Sequence, residues 1–410
     1  MNENDLYKIA SDYLLPFFSG AKLQPASVPS TPQETCVAWI DPCTIGFKID
    51  RADGYRLYLR RSQPFATESG DHLSEKSVVE AFVEVVRSIE AGLDQPYRLD
   101  LLSSLERRVV VRSLAQAPFD GFLLECLDQM VSWSSRLYEG HPITSAIGFV
   151  LDDNIQTVTL RDTWKFDFSA VLTNGHDTLL SVNHTGNVVS HESLTFPNHV
   201  PSFAPYRLAP LADWARNGRI ALALNRTGEL LILKDQKLLF ARRSGAWHFL
   251  TPDAVVTQLG RPDDISIRTA VLETALDVSF ARTGGCIGIV ISRHQNQWKK
   301  IVVSTDDHLS ESSSIKSKIV NLAIAGRRFQ DLDRRLRQEL VSVDGATVIN
   351  HHGEILAVGA ILRIPGGSTG GGRTAAAKAL SKYGLGAKIS QDGKIQCYRD
   401  GADEPKVSLM

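Results

Sequence analysis

Ile355-Leu356-Ala357-Val358-Gly359-Ala360-Ile361-Leu362, then Gly366-Gly367-Ser368-Thr369-Gly370-Gly371-Gly372-Arg373-Thr374, then an alanine-rich run ending at Tyr383: this stretch decides the fold. The octet is apolar on both faces, as in a strand covered by helices on either side of a sheet. The run Arg373–Tyr383 has helical composition, with Gly384 at the expected C′ position. Working outward, Ala346–Ile349 reads as a strand, joined to the octet by the turn Asn350-His351-His352-Gly353. Ile267–Phe280, Ile315–Ala325 and Phe329–Leu340 carry helical spacing, and Cys286–Ile291 reads as a buried strand. The alternation predicts an α/β domain over 259–401, a mixed sheet flanked by helices, with 402–410 as a tail.

Upstream the texture changes twice. Residues 1–140 mix an opening amphipathic helix (Leu6, Ile9, Tyr13, Leu14) with strands at Thr35–Ile40, Thr44–Ile49 and Tyr55–Leu59. A helical stretch from Glu75 to Tyr138 follows, with Val78, Val79, Phe82, Val85 and Val86 on one face. This predicts an α/β region. Residues 141–258 read as β-rich, with strands at Ser145–Leu151, Gln156–Leu160, Phe166–Leu172, Leu179–Val182, Ile220–Leu224 and Leu230–Leu233. Asn225-Arg226-Thr227-Gly228 marks a hairpin between the last two.

The chain of 410 residues is long enough for two or three domains, and 43% apolar with 22% charged residues excludes a disordered chain. Lys plus Arg (45) balances Asp plus Glu (46), so no bulk field draws the protein to nucleic acid or anionic lipid, and neither is an expected partner. Five scattered cysteines, never spaced Cys-x-x-Cys, argue against a disulfide framework and fit a reducing compartment. Met1 to Asp5 lacks the basic-then-apolar order of a signal peptide, and no run approaches a membrane span. The expectation is a soluble, cytoplasmic protein.

Chemistry concentrates in the glycine-rich segment. Glycines let backbone N–H groups approach an anion, a helix N-terminus adds partial positive charge, and Arg373 offers a fork for phosphate oxygens with the Thr374 hydroxyl beside it. Gly367-x-x-x-x-Gly372-Arg373-Thr374 is a Walker-A pattern with Arg in place of Lys. A second constellation is Asp344-Gly345-Ala346, a carboxylate at a strand start that can hold a divalent cation against a triphosphate. His351-His352 reads as an exposed turn rather than a metal pair. The arginines from Arg327 to Arg337, interspersed with Asp331 and Asp333, read as a solvated helix face.

Together these pieces resemble the diadenylate cyclase family, the synthases of cyclic di-AMP. Asp344-Gly345-Ala346 matches the family's Asp-Gly-Ala without change, and Arg373 falls on the last arginine of its Arg-His-Arg motif, with Thr374-Ala375 on the small residues after it. Ser390 then registers on the family's serine and Asp392 on an acidic position two residues later, while Gly284 to Ile291 is similar to its Gly-Ala-Leu-Ile-Val-Ile strand. The resemblance covers Pro262 to Gly401, and Gly371-Gly372 stand where the family has Arg and His. It implies a metal-dependent nucleotidyltransferase that condenses ATP, or a related nucleoside triphosphate, into a cyclic di-AMP-like second messenger with release of pyrophosphate. Asp344, Arg373 and Thr374 would be catalytic, with Mg²⁺ or Mn²⁺ on Asp344 and Asp392. The nucleotide would lie against Gly285, Cys286, Ile287, Gly345, Ala346, Gly370, Gly371, Gly372, Arg373, Thr374 and Ser390. It further implies facing cyclase domains in a dimer or higher oligomer, gated by N-terminal sensor regions of bacterial signalling type. With two motif side chains replaced by glycine, the alternative is a nucleotide sensor that binds without turnover.

Overall fold

The computed structural model describes every residue except 1–2, 27–34, 50–54, 67–72, 94, 97, 115–119, 152–157, 261–263, 311–312 and 365–370. The packing divides the chain into two compact units, Met1–Thr251 and Pro252–Met410.

In the N-terminal unit, a four-stranded antiparallel sheet runs in the order Lys22–Pro25, Leu57–Arg60, Thr44–Phe47, Val37–Asp41. The helix Glu75–Ile89 is capped by Ser74, whose side chain accepts from the Ser77 amide, and it buries Val78, Val79, Phe82 and Val86. A second sheet has seven strands in the order Ala246–Phe249, Lys237–Arg243, Leu230–Lys234, Ile220–Leu224, Ser145–Phe149, Thr178–Val182, Val188–Ser193. One buried cluster runs from Leu6 to Phe249 and takes in the helices of the first 140 residues with the strands that follow. This cluster lies within the unit Met1–Thr251.

Two expected strands of this unit are corrected. Phe166–Leu172 is a 3₁₀ segment, Asp167–Val171, and Phe166 and Phe168 stay largely exposed at 58% and 48%. Their apolar spacing therefore marks surface, not a buried face. Of Gln156–Leu160, residues 156–157 lie outside the described residues; Leu160 opens a short helix because the Thr159 side chain caps the Asp162 amide. The Asn225–Gly228 hairpin forms as expected, its Asn225 side chain accepting from the amides of Thr227 and Glu229.

The C-terminal unit is a mixed sheet flanked by helices. Its six strands run Ile355–Ala360, Ala346–Asn350, Gly285–Val290, Gly384–Ile389, Ile395–Arg399, Val407–Leu409. The pairing of Gly285–Val290 with Ala346–Asn350 is parallel and the others are antiparallel. Residues expected as a tail thus supply the edge strand Val407–Leu409. One face is covered by the helix Gly372–Ser381, where Cys286 and Val290 share a core with Ala377 and Leu380. On the other face the Gly285 backbone meets Val341 of the helix Arg334–Ser342, which packs beside Ile265–Ala281.

Two sequence expectations fail locally here. Phe329–Leu340 is not one helix: a 3₁₀ turn, Phe329–Asp331, leads to extended Leu332, and Asp333 caps a new helix by accepting from the Arg335 amide. An aspartate placed to satisfy a first-turn amide outweighs the continuing apolar period. Gly384 is not a helix C′ residue either, since Lys382 closes the helix and Gly384 begins a strand. A Cβ there would strike the Ile289 carbonyl oxygen of the neighbouring strand.

Candidate functional site

Register alone assembles the site. Ile287 pairs with Thr347, so the starts of the two parallel strands, Gly285 and Gly345–Ala346, lie side by side. Gly285 pairs with Ile389, which brings Ser390 to the same end, and Ala346 pairs with Ala360, which brings Gly359 there. The helix Gly372–Ser381 runs back along the sheet into Gly384–Ile389, so its N-terminus returns to this end too. Five segments separated by up to about a hundred residues thus converge at one rim.

Asp344 is exposed at that rim, its Oδ1 accepting from the Gly345 amide at 3.1 Å. Gly345 has φ +103°, and a Cβ there would sit 2.5 Å from the Gly359 carbonyl carbon. The residue after Asp344 is therefore glycine for two reasons, backbone conformation and the close passage of the neighbouring strand. Ala346 is fully buried behind it.

Arg373 sits in the first turn of its helix. Its Nη2 donates to the Thr283 carbonyl at 3.3 Å, and the guanidinium lies over Gly284, where a Cβ would come within 2.5 Å of Nη1. The same charge acts on Cys286, although burial dominates and pushes that thiol up to about 12. Gly371 is the N-cap residue with φ +88° and no side-chain cap, so the amides of Gly372 and Arg373 point out of the first turn without helical acceptors. Both glycines are exposed, while Thr374 is 8% exposed, which leaves its hydroxyl little access to solvent. Gly370 lies outside the described residues.

The remaining predicted residues are less uniform. Cys286 and Ile287 are buried in the central strand, at 1% and 0% exposure, so their side chains face the interior and not the rim surface. Ser390 begins a tight turn in which its amide donates to the Lys394 carbonyl and its carbonyl accepts from the Gly393 amide. Asp392, in that turn, is exposed and accepts from the Lys394 amide at 3.3 Å. Among the described residues no group of three His, Cys, Asp or Glu side chains gathers as a metal cage. Asp344 and Asp392 are single exposed carboxylates, so a cation on either would need ligand phosphates or water to complete its coordination shell.

Sequence reasoning missed two features of this unit. The arginine-rich segment is a solvated face only in part: Arg327, Arg328 and Arg335 are exposed, but Arg334 and Arg337 are buried at 6% and 4%. Arg334 grips Asp277 through Nε at 2.9 Å and Nη2 at 2.7 Å, and Arg337 reaches Glu273 at 2.7 Å. The signal was present in Glu273 and Asp277, one turn apart inside an otherwise apolar helix and hence in need of buried cations. The second missed feature is Lys316, whose Nζ donates to the Gly359 carbonyl at 3.0 Å and to Asp307 at 2.5 Å. His351 and His352 occupy the expected turn, where His351 shares a 2.6 Å hydrogen bond with Ser292 and the His352 amide donates to Asn350.

No helix among the described residues is long and apolar enough to cross a membrane. No family model matches the chain, and no curated protein matches it. Among solved structures the chain is similar to DacA from Staphylococcus aureus, determined as a double mutant, at 18% identity with a TM-score of 0.22. That match covers 35% of this chain and 86% of DacA.

Proposed function

We propose that the rim of the C-terminal unit binds ATP or a related nucleoside triphosphate, and that the unit is a metal-dependent nucleotidyltransferase of diadenylate-cyclase type. One observation carries the reading: register brings exposed Asp344 and the Arg373-bearing helix N-terminus to the same end of the sheet, the arrangement that the resemblance calls for. Amides of Gly372 and Arg373 with the Arg373 guanidinium receive phosphate oxygens. Asp344, with Asp392 from the same or a facing subunit, holds Mg²⁺ or Mn²⁺. Such an ion, when bound, would supply Lewis-acid chemistry, activating a ribose 3′-hydroxyl and offsetting charge at the α-phosphate, with pyrophosphate as the leaving group. Joining two nucleotides into a ring needs two such rims face to face, and the N-terminal unit is the candidate regulator of that encounter.

A second reading, nucleotide binding without turnover, is favoured by one feature. Gly371 and Gly372 provide amides where the resembling family has Arg and His, and φ +88° at Gly371 suits glycine. Incubation of the purified chain with ATP and Mn²⁺ or Mg²⁺, followed by mass spectrometry, separates the two. A cyclic or linear dinucleotide with pyrophosphate supports the transferase. Unchanged ATP with measurable binding supports the sensor, and ADP with phosphate removes both.

A further inference from the structure

Lys316 lies in the first turn of the helix Ile315–Ile324, whose Ser314 cap accepts from the Ser317 amide at 3.1 Å. Ser317 is fully buried, and its hydroxyl donates to the Leu309 carbonyl at 3.2 Å, so the turn carrying the lysine is fastened to the body of the unit. The ammonium donates to Asp307 Oδ1 at 2.5 Å and to Gly359 O at 3.0 Å, while 40% of the side chain stays exposed. Asp307 is itself held, its other oxygen accepting from the Ile361 amide at 3.3 Å.

This places a cation beside Asp344. The point that a Cβ on Gly359 would occupy is 2.9 Å from the Asp344 carbonyl oxygen and 3.3 Å from Lys316 Nζ. An ammonium has three donors; among the described residues Asp307 and the Gly359 carbonyl accept two, which leaves the third for a ligand. A half-exposed ion pair contributes little to stability, so holding the fold is a poor account of this arrangement. Arg373 reaches Thr283 and Gly284, which lie one strand beyond Asp344 in the other direction. The two cations therefore bracket the aspartate across neighbouring strands, each step about 5 Å. A span of that size suits a chain of phosphates better than a single one.

We infer that Lys316 is a phosphate-binding residue of this rim, contacting the terminal phosphates of a nucleoside triphosphate on the side of Asp344 away from Arg373, with Asp307 as the residue that positions it. The inference rests on the nucleotide-site reading above and adds a residue and a ligand preference to it. The test is calorimetric titration of the full chain with Mg²⁺-ATP and with AMP, in the wild type, in Lys316→Met, and in Lys316→Met combined with Asp307→Asn. The double variant leaves no unpaired carboxylate, so a folding defect in the single variant does not decide the result. The wild type should prefer ATP; both variants should lose about tenfold or more in ATP affinity while AMP affinity changes by about twofold or less. Lys316→Arg should recover part of the loss, because charge is kept and geometry changes. ATP affinity unchanged in both variants would overturn the role of Lys316 and leave the site reading standing. A wild type that takes up no nucleotide would remove the site reading, and the inference with it.

Discussion

Two groups of cationic residues in the C-terminal unit look alike in sequence and differ in kind. Arg334 and Arg337 are buried against Asp277 and Glu273 of a neighbouring helix, with their charge consumed inside the unit. Arg373 and Lys316 stand at the rim, one held by a backbone carbonyl and the other by a carboxylate and a carbonyl, both with exposure to spare. The difference shows that an arginine's task is set less by its own neighbours in sequence than by where the carboxylates lie. Glu273 and Asp277 on the facing helix make the first pair structural. Among the described residues Arg373 is held by the Thr283 carbonyl and by no carboxylate, which leaves its charge available to an anion.

Several substitutions can break or sharpen this contrast. The largest effect belongs to the buried pair: Arg334→Met strands the Asp277 carboxylate and should cost about 3–5 kcal/mol in chemical denaturation. A loss under about 1 kcal/mol would mean that the pair is solvated after all. Gly345→Ala comes next, since φ +103° and the passing Gly359 backbone both oppose a Cβ; about 1–3 kcal/mol should be lost, together with nucleotide binding. Arg373→Ala should leave stability within about 0.5 kcal/mol, as expected for a surface side chain, yet weaken ATP binding about tenfold.

The smallest effect is a silence. Burial pushes the Cys286 thiol up to about 12, so at pH 8 native protein should resist alkylation there, while the unfolded chain reacts. The sign of its linkage follows: the unfolded thiol ionises first, so this residue lowers stability as pH rises above about 8.5. Mass-spectrometric mapping of alkylated cysteines before and after unfolding checks both points.

Much of the C-terminal sheet was legible because its strands are apolar on both faces and bounded by glycine, as in Gly285–Val290 and Ile355–Ala360. The convergence of Asp344 and Arg373 was legible only through motif resemblance; spacing along the chain says nothing of register. Lys316 was invisible because its relation to Asp344 passes through Gly359, a contact between segments more than 40 residues apart. The break at Leu332–Asp333 was missed because helical spacing continues through it, while the aspartate cap that interrupts it is a local hydrogen bond. In the N-terminal unit, Phe166 and Phe168 show the opposite case: an apolar residue need not be inside, and these two stay largely exposed.

The central claim is a metal-assisted triphosphate site at the rim shared by Asp344 and Arg373. Calorimetric titration of the full chain with ATP, with and without Mg²⁺, in wild type and Asp344→Asn tests it most directly. Uptake should require the cation in the wild type and be largely lost in Asp344→Asn, with the fold intact by circular dichroism. No uptake by the wild type, or equal cation-dependent uptake by the variant, would contradict it.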